Sequence, residues 1–288
     1  MVRGMTAGAE GGVRKVLVVI GVGGMGEAIA RRQATGRTVV LADFSEQALE
    51  RVGGALRGDG FEVVTRTVDV SSRASVAELA DAAAALGRVT QVVHTAGLSP
   101  VQAPRDAILA VDLLGTALVL DEFERVIAPG GAGLVIASMA GHFMPPLPPE
   151  VAHALATTPS DELLSLPVFA SITEAAAAYP FAKHANHLRV RAASSAWGAR
   201  GARVNSISPG VISTPMGQQE LAGESGGQMR AMIAASGTGR VGTPYDIADA
   251  AAFLLGPDAS FITGTDLLVD GGVVAAVSTG RLDLRGGQ

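Results

Sequence analysis

The chain has no cysteine among its 288 residues. Disulfides, thiolate nucleophiles and cysteine-ligated metal sites are excluded, and the composition suits a reducing cytoplasm, the expected location. A long basic run is also missing: 22 lysines and arginines stand against 27 acidic residues, a formal net charge of -5. A nucleic-acid partner, which requires a basic footprint, is not expected. No apolar stretch reaches the roughly 18 uninterrupted residues of a membrane helix, because glycine, arginine and aspartate break every candidate. The first fifteen residues contain Arg3, Arg14 and Lys15 but no apolar segment of the signal-peptide kind. A soluble protein with no membrane partner is expected, a single domain over 14–280 with loose tails at 1–13 and 281–288.

What is there is 48% hydrophobic, enough to fill one large core. Val16 to Ile20 is a continuous apolar run, as in a strand covered on both faces. Glycines follow, then a helix over Glu27 to Ala34, and the alternation continues: strand 38–42, helix 45–57, strand 61–65, helix 72–86, strand 90–94. Strands separated by helices imply βαβ units and a parallel sheet. A long helix from Asp106 to Ile127, a strand ending at Ser138 and a helix carrying Tyr179 and Lys183 come next. Strand 203–207, helix 245–255 and strand 266–269 complete a doubly wound α/β fold. Residues 141–178 break the rhythm with Pro145, Pro146, Pro148 and Pro149 and with helix-start signatures at Thr158-Pro159 and Ser171-Ile172-Thr173-Glu174. They form an insertion of one to three short helices, either a surface decoration or subunit contact, or a lid over a substrate.

Gly21-Val22-Gly23-Gly24-Met25-Gly26 fits G-x-G-x-x-G between an apolar strand and a helix. Such glycines let backbone approach a pyrophosphate, which the free N–H groups of the helix start then stabilise. Asp43, followed by Phe44, closes the second strand 22 residues after Gly21, where an acid accepts hydrogen bonds from a ribose. Its carboxylate would repel a 2′-phosphate, and no Arg or Lys lies in the glycine loop or directly after Asp43, so NAD is expected over NADP. The alternative makes Asp43 a cap for the helix starting near Ser45, with an arginine such as Arg37 folding over the site. Asp69-Val70 and Thr95-Ala96-Gly97 follow the third and fourth strands, at ends where ligands bind such sheets. Asp69 either meets an adenine amino group or serves its own turn. The small Ala96-Gly97 pair lets a ribose lie against backbone.

Tyr179 and Lys183, four residues apart on a helix, share one face. An ammonium beside a phenol favours phenolate, and the phenol's ordinary pKa of about 10 is too high for a base near neutrality. The pair is a candidate proton-transfer device.

With these motifs the chain resembles the short-chain dehydrogenase/reductase superfamily, of the classical type, from about Val16 to Gly272. The resemblance rests on the glycine loop, Ser138, Tyr179-x-x-x-Lys183, Ser208-Pro209-Gly210 with Thr214, and Ile262-Thr263-Gly264 to Asp270-Gly271-Gly272. It implies a seven-stranded Rossmann fold, usually in a homotetramer or homodimer. The implied activity interconverts an alcohol and a ketone, with hydride moving on the B face of nicotinamide. Tyr179 would exchange the proton, Lys183 would lower the tyrosine pKa and bond the nicotinamide ribose, and Ser138 would hold the reacting oxygen. Pro209, Gly210, Val211 and Thr214 would line the nicotinamide side.

The chain departs from the family's pattern in several places. Its glycine loop is one residue shorter, implying a tighter turn. The usual Asn-Asn-Ala-Gly is His94-Thr95-Ala96-Gly97, with His94 read as a structural strand-end residue. Asp112 replaces the family's catalytic asparagine, and either keeps the proton relay with altered pH dependence or has no catalytic part; a carboxylate cannot donate as an amide does. Ser138 and Tyr179 lie 41 positions apart instead of roughly a dozen. Some bacterial hydroxysteroid dehydrogenases and carbonyl reductases are similarly enlarged, and there the segment bears on subunit packing. Met139, Phe143, Met144, Leu147, Phe169 and Met216 either wall a pocket for a hydrophobic substrate or pack the insertion onto its own domain.

The leading expectation is an NAD-dependent oxidoreductase acting on a small hydrophobic secondary alcohol or ketone. An enoyl reductase is one alternative, although enoyl reductases of this fold usually place the lysine farther from the tyrosine, where Asn186 stands here. A dinucleotide-binding regulator or scaffold without turnover is another. No metal is expected: His142, His153, His184 and His187 make no convincing ligand set, and His184 and His187 are read as facing solvent or a neighbouring subunit.

Overall fold

The computed structural model describes residues 14–283. The expected tail at 1–13 and most of that at 281–288 lie outside them. Arg281 and Leu282 are held, each amide donating to the Ala276 carbonyl.

The first half runs β1 (Lys15–Ile20), α1 (Gly24–Gln33), β2 (Thr38–Asp43), α2 (Glu46–Gly58), β3 (Val63–Thr67), α3 (Arg73–Leu86) and β4 (Arg88–His94). A helix in three parts follows: α4 (Arg105–Ile108), a π-helical turn Leu109–Leu114 and α5 (Gly115–Glu124). The second half has β5 (Ile127–Ile136), α6 (Pro149–Thr157), α7 (Ala175–Ala199), β6 (Arg203–Pro209), α8 (Pro215–Ala222), α9 (Gly226–Ala235), α10 (Pro244–Leu255), β7 (Asp266–Val269) and α11 (Val273–Ser278). All seven strands pair in parallel, in the order β3-β2-β1-β4-β5-β6-β7. This is the expected doubly wound sheet, and its order reverses between β1 and β4. Ligands bind beyond the strand ends at such a switch point.

Strand alternation divides the core. Leu17, Val19, Val39 and Leu41 face a layer made with Ile29, Leu56, Ile247 and Leu254 of α1, α2 and α10. Val16, Val18, Ile20 and Val40 face the opposite layer, with Val76, Phe123, Val190 and Trp197 of α3, α5 and α7. Trp197 is fully buried and donates from Nε1 to the Leu120 carbonyl at 3.1 Å.

Several boundaries differ from the expectations. The glycine loop enters α1 at Gly24, three residues before Glu27, so its last glycines form the first helical turn. β3 begins at Val63 because the Phe61 amide closes the end of α2 by donating to Leu56. The long helix stops at Glu124, and Ile127 instead opens β5 opposite Val89. Helices α8, α9 and α11 were not expected. Glycines 217, 223, 226 and 227 interrupt the region of α8 and α9, yet Thr214-Pro215 carries a legible start signature, and Thr214 Oγ1 does accept the Gly217 amide at 3.1 Å.

The insertion holds α6 and 3-10 turns at Ser160–Ser165 and Pro167–Ser171, after one at Met139–Phe143. Its Leu155, Leu163, Phe169 and Ile172 form a third cluster with Ile108, Leu113, Phe181 and Ala185, on the side of α4, the π turn and α7 away from the sheet. Polar pins hold it down. Arg105 donates to the carbonyls of Phe169 and Ile172, and Arg189 donates to the Thr158 carbonyl and Ser160 Oγ.

Candidate active site

The switch point is crowded by design. Gly21 has φ +90°, and a Cβ there would strike the backbone of Ala96; a Cβ on Gly26 would strike the Gly21 carbonyl. Thr95 Oγ1 donates to that same carbonyl at 2.6 Å. A Cβ on Gly23 would meet nothing within 4 Å, so this glycine faces open space. Gly24 lies against Thr214, whose Cγ2 would be 3.1 Å from an added Cβ. The loop thus combines tight backbone packing behind with clearance in front, the cradle that a pyrophosphate requires.

A cavity of about 420 Å³ opens beside this loop, lined by Gly21, Gly23, Asp43, Phe44, Asp69, Val70, Thr95, Ala96 and Gly97, with Val111 and neighbours. Asp43 Oδ2 accepts the Val22 amide at 2.7 Å and Oδ1 the Ser45 amide at 2.9 Å. The helix α2 is capped by Ser45 itself, whose Oγ accepts the Ala48 amide at 3.2 Å, so Asp43 braces the loops on either side rather than capping the helix; a carboxylate has about four acceptor sites, and the group still faces the cavity. Arg37 lies elsewhere, donating to the carbonyls of Gln33 and Thr35. Phe44 is 77% exposed at the rim. Asp69 Oδ1 accepts both the amide and the hydroxyl of Ser71, which is turn chemistry.

A second cavity of about 410 Å³ is lined by Ser138, Tyr179, Pro209, Gly210, Val211 and Thr214 together with Met25. Its apolar wall includes Met139, Phe143 and Met216, as expected, and also Met229 and Met232 from the unforeseen α9. Met144, Leu147 and Phe169 do not line it; they pack in the insertion's cluster. Glu220, on α8, is the single charged side chain in the lining. Burial pushes its carboxyl up, with the Ser99 hydroxyl pulling the other way. Neither Glu220 nor the α9 methionines could be found from the sequence without first recognising their helices.

Between the two cavities stand Lys183 and Asp112, both buried, with Nζ 3.1 Å from Oδ2. A Cβ on Gly97 would lie 3.1 Å from that Nζ, so the lysine reaches the floor of the first cavity. Asp112 sits in the π turn, its Oδ1 accepting the Leu98 amide at 2.7 Å. Its carbonyl accepts Asn186 Nδ2 at 2.9 Å and Thr116 Oγ1 at 2.7 Å. Burial pushes the Asp112 carboxyl up despite Lys183, and Asp112 in turn holds the Lys183 ammonium above its ordinary value against the opposing effect of burial.

Lys183 Nζ is 5.4 Å from the centre of the Tyr179 ring. Lys183 and the Ser138 hydroxyl both pull the phenol's pKa down, but desolvation outweighs them and the net direction is up. Lys183 thus acts in the expected sense without making Tyr179 a phenolate in the resting protein. His94 is buried where the family has asparagine, and burial, helped by Lys183, lowers it to about 3, keeping it neutral.

His187 corrects an expectation. It is buried rather than solvent-facing, with Nε2 2.9 Å from Ser208 Oγ. His184 Nδ1 lies 2.9 Å from the Gly141 carbonyl. His153 is exposed on α6 and takes no part in this group. Among the described residues, no helix is long and apolar enough to cross a membrane.

A family model described as enoyl-(acyl carrier protein) reductase matches residues 21–154 and 164–274. The chain is 42% identical over 268 residues to a protein named short-chain dehydrogenase/reductase bsc3 from Alternaria brassicicola, covering 92% of this chain and 97% of that protein. It is 31% identical over 268 residues to D-threitol dehydrogenase of Mycolicibacterium smegmatis, covering 90% and 92% of the two chains. Among solved structures, levodione reductase superposes with a TM-score of 0.74 at 27% identity, covering 91% of this chain and 98% of that one.

Proposed function

The chain belongs to the short-chain dehydrogenase/reductase superfamily, and from that premise we propose that this oxidoreductase interconverts a neutral, hydrophobic secondary alcohol and its ketone, with NAD as cofactor and Tyr179 as the acid/base. The observation that carries the reading is the shared location of Ser138 and Tyr179 on one apolar cavity, with the Lys183–Asp112 pair behind them and a glycine cradle alongside. The relative named for D-threitol and the neighbour named for levodione support the alcohol and ketone class. Glu220, alone among uncharged lining, favours a neutral substrate over an anionic one.

The residues fit a dinucleotide: the crowding at Gly21 and Gly26, the clearance at Gly23 and the cavity beside Asp43 make the required cradle. Gly21, Gly23, Gly24, Met25 and Gly26 would hold the pyrophosphate; Asp43, Phe44, Asp69, Val70, Thr95, Ala96 and Gly97 the adenosine half. Lys183, Tyr179, Pro209, Gly210, Val211 and Thr214 would hold the nicotinamide half. When bound, the cofactor supplies the hydride acceptor or donor. Ser138 would orient the substrate oxygen, Tyr179 would give it or take from it a proton, and Lys183, anchored by Asp112, would stabilise phenolate as it forms. The apolar wall excludes water from this exchange.

The description of the matching family model favours a second reading, reduction of an enoyl double bond. Against it, the position where enoyl reductases of this fold place their lysine is Asn186, which is buried and committed to the Asp112 carbonyl. Cofactor reduction, followed by its near-ultraviolet absorbance across hydrophobic secondary alcohols and polyols, tests the proposal. Turnover of neutral alcohols is expected. Reduced-cofactor binding without turnover of any alcohol or ketone in the set would favour the regulator reading, and turnover of enoyl thioesters alone would favour the second.

The NAD preference has its own test. Asp43→Ala is expected to weaken NADH by about 10-fold or more, the value of hydrogen bonds to a charged acceptor, while NADPH affinity holds or rises as a repulsion disappears. Fluorescence titration with both cofactors measures this. Because Asp43 also holds the Val22 and Ser45 amides, an equal loss for both cofactors would reduce its role to loop capping.

A further inference from the structure

Asp266, the first residue of β7, lies between two imidazoles brought from distant parts of the chain. His142 belongs to the tight turn that follows Ser138, and His187 lies one helical turn beyond Lys183 on α7. His142 Nε2 is 2.8 Å from Asp266 Oδ2 and His187 Nε2 is 3.5 Å from Oδ1; taking one donor atom from each residue, all lie within 4.8 Å of one another. We propose that His142, His187 and Asp266 form a binding site for a divalent transition cation of the zinc type, separate from the catalytic cavity.

Two imidazoles and a carboxylate select zinc and its transition-metal neighbours over magnesium or calcium, which take oxygen donors. Donors about 2.1 Å from a tetrahedral centre stand roughly 3.4 Å apart. The 2.8 and 3.5 Å separations bracket that spacing, while the set as a whole spans up to 4.8 Å, so the side chains must rotate inward to close around an ion. Asp266 is oriented by Ser206, whose Oγ donates to Oδ1 at 2.6 Å. The His184 ring, held to the Gly141 carbonyl, fixes the turn that presents His142.

A cavity of about 540 Å³ opens on the three residues and leaves room for water to complete the coordination. Two groups oppose the ion. Ser208 Oγ already pairs with His187 Nε2 and must turn aside, and Arg191, which lines the same cavity, brings a like charge. Binding is therefore expected in the micromolar range rather than the nanomolar. An ion there would clasp three elements together: the turn after Ser138, the catalytic helix and the last strand.

The test reads binding and not turnover, so it stands apart from the proposed reaction. The full chain, without a polyhistidine tag and stripped with chelator, is titrated calorimetrically with zinc chloride and then with magnesium chloride. One zinc ion per chain with a dissociation constant below about 10 µM is expected, and no magnesium binding. His142→Gln is expected to weaken zinc at least about 10-fold, while His153→Gln, at the exposed position on α6, leaves it unchanged. Circular dichroism confirms that the variants fold, which is expected because the His142 side chain is 29% exposed. Absence of zinc binding, zinc binding unaltered by His142→Gln, or equal loss with His153→Gln would each overturn the site.

Discussion

Tyr179→Phe is expected to reduce turnover by about 10²–10⁴-fold, the usual contribution of a positioned acid or base, and to leave NADH binding nearly unchanged. The substitution removes one hydroxyl and keeps the ring, which packs against the third cluster. The loss must therefore appear in kcat, read by steady-state kinetics beside a cofactor titration. The raised phenol adds a direction with pH. Ketone reduction uses the protonated phenol and is expected to be flat across neutral pH; alcohol oxidation uses phenolate and is expected to speed up as pH rises towards the phenol's pKa. Turnover retained by the phenylalanine variant would sink the assignment of Tyr179.

Lys183→Met is expected to damage both activity and stability, and a second substitution separates the two losses. Without the ammonium, the Asp112 carboxylate is left fully buried with no opposing charge. Breaking a buried pair from one side costs about 3–5 kcal/mol, which lowers the midpoint of thermal unfolding by about 2–4 °C for each kcal/mol in a chain of this size. Asp112→Asn in the same chain removes the stranded charge while an amide oxygen can still accept from Leu98, so stability is expected to recover. Turnover is not, because the phenol has still lost its cation. Urea unfolding at neutral pH and initial rates of the single and double variants measure the two effects. A double variant as unstable as the single would trace the cost to lost packing, and recovered turnover would remove Lys183 from the mechanism.

Most of the scaffold was legible because its physics is local. A strand such as Val16–Ile20 announces burial on both faces, and Ser45 and Ser72 announce helix starts, each hydroxyl accepting an amide three residues on. The glycine loop, Asp43 and the Tyr179–Lys183 spacing were readable for the same reason: each needs only its own segment to be recognised. Glu220, Met229 and Met232 were hidden because α8 and α9 are short and broken up by glycines 217, 223, 226 and 227, although Met229, Met232 and Ile233 do fall on one face of α9. The grouping of His142 with His187 and Asp266 was hidden for a different reason, since it joins residues up to 124 positions apart through the sheet order. His187 looked like a surface residue because α7 has insertion on one side and sheet on the other, so even its polar positions are covered. The insertion could be delimited from its prolines, but not its role; it packs on α4, the π turn and α7, and only Phe143 and Ala176 reach the catalytic cavity from it.

The π turn Leu109–Leu114 makes chain length itself part of the site. An α-helix turns about 100° per residue, and a π turn stores one residue more than the helix around it needs. A relative one residue shorter here would not have a shorter loop. Its helix would close into regular α form, and everything before Gly115 would rotate by about 100° against everything after. The Asp112 carboxylate would swing away from Lys183, and its carbonyl would leave Asn186. Between Leu109 and Leu114, a gap in an alignment therefore has the weight of a substitution at the centre of the site.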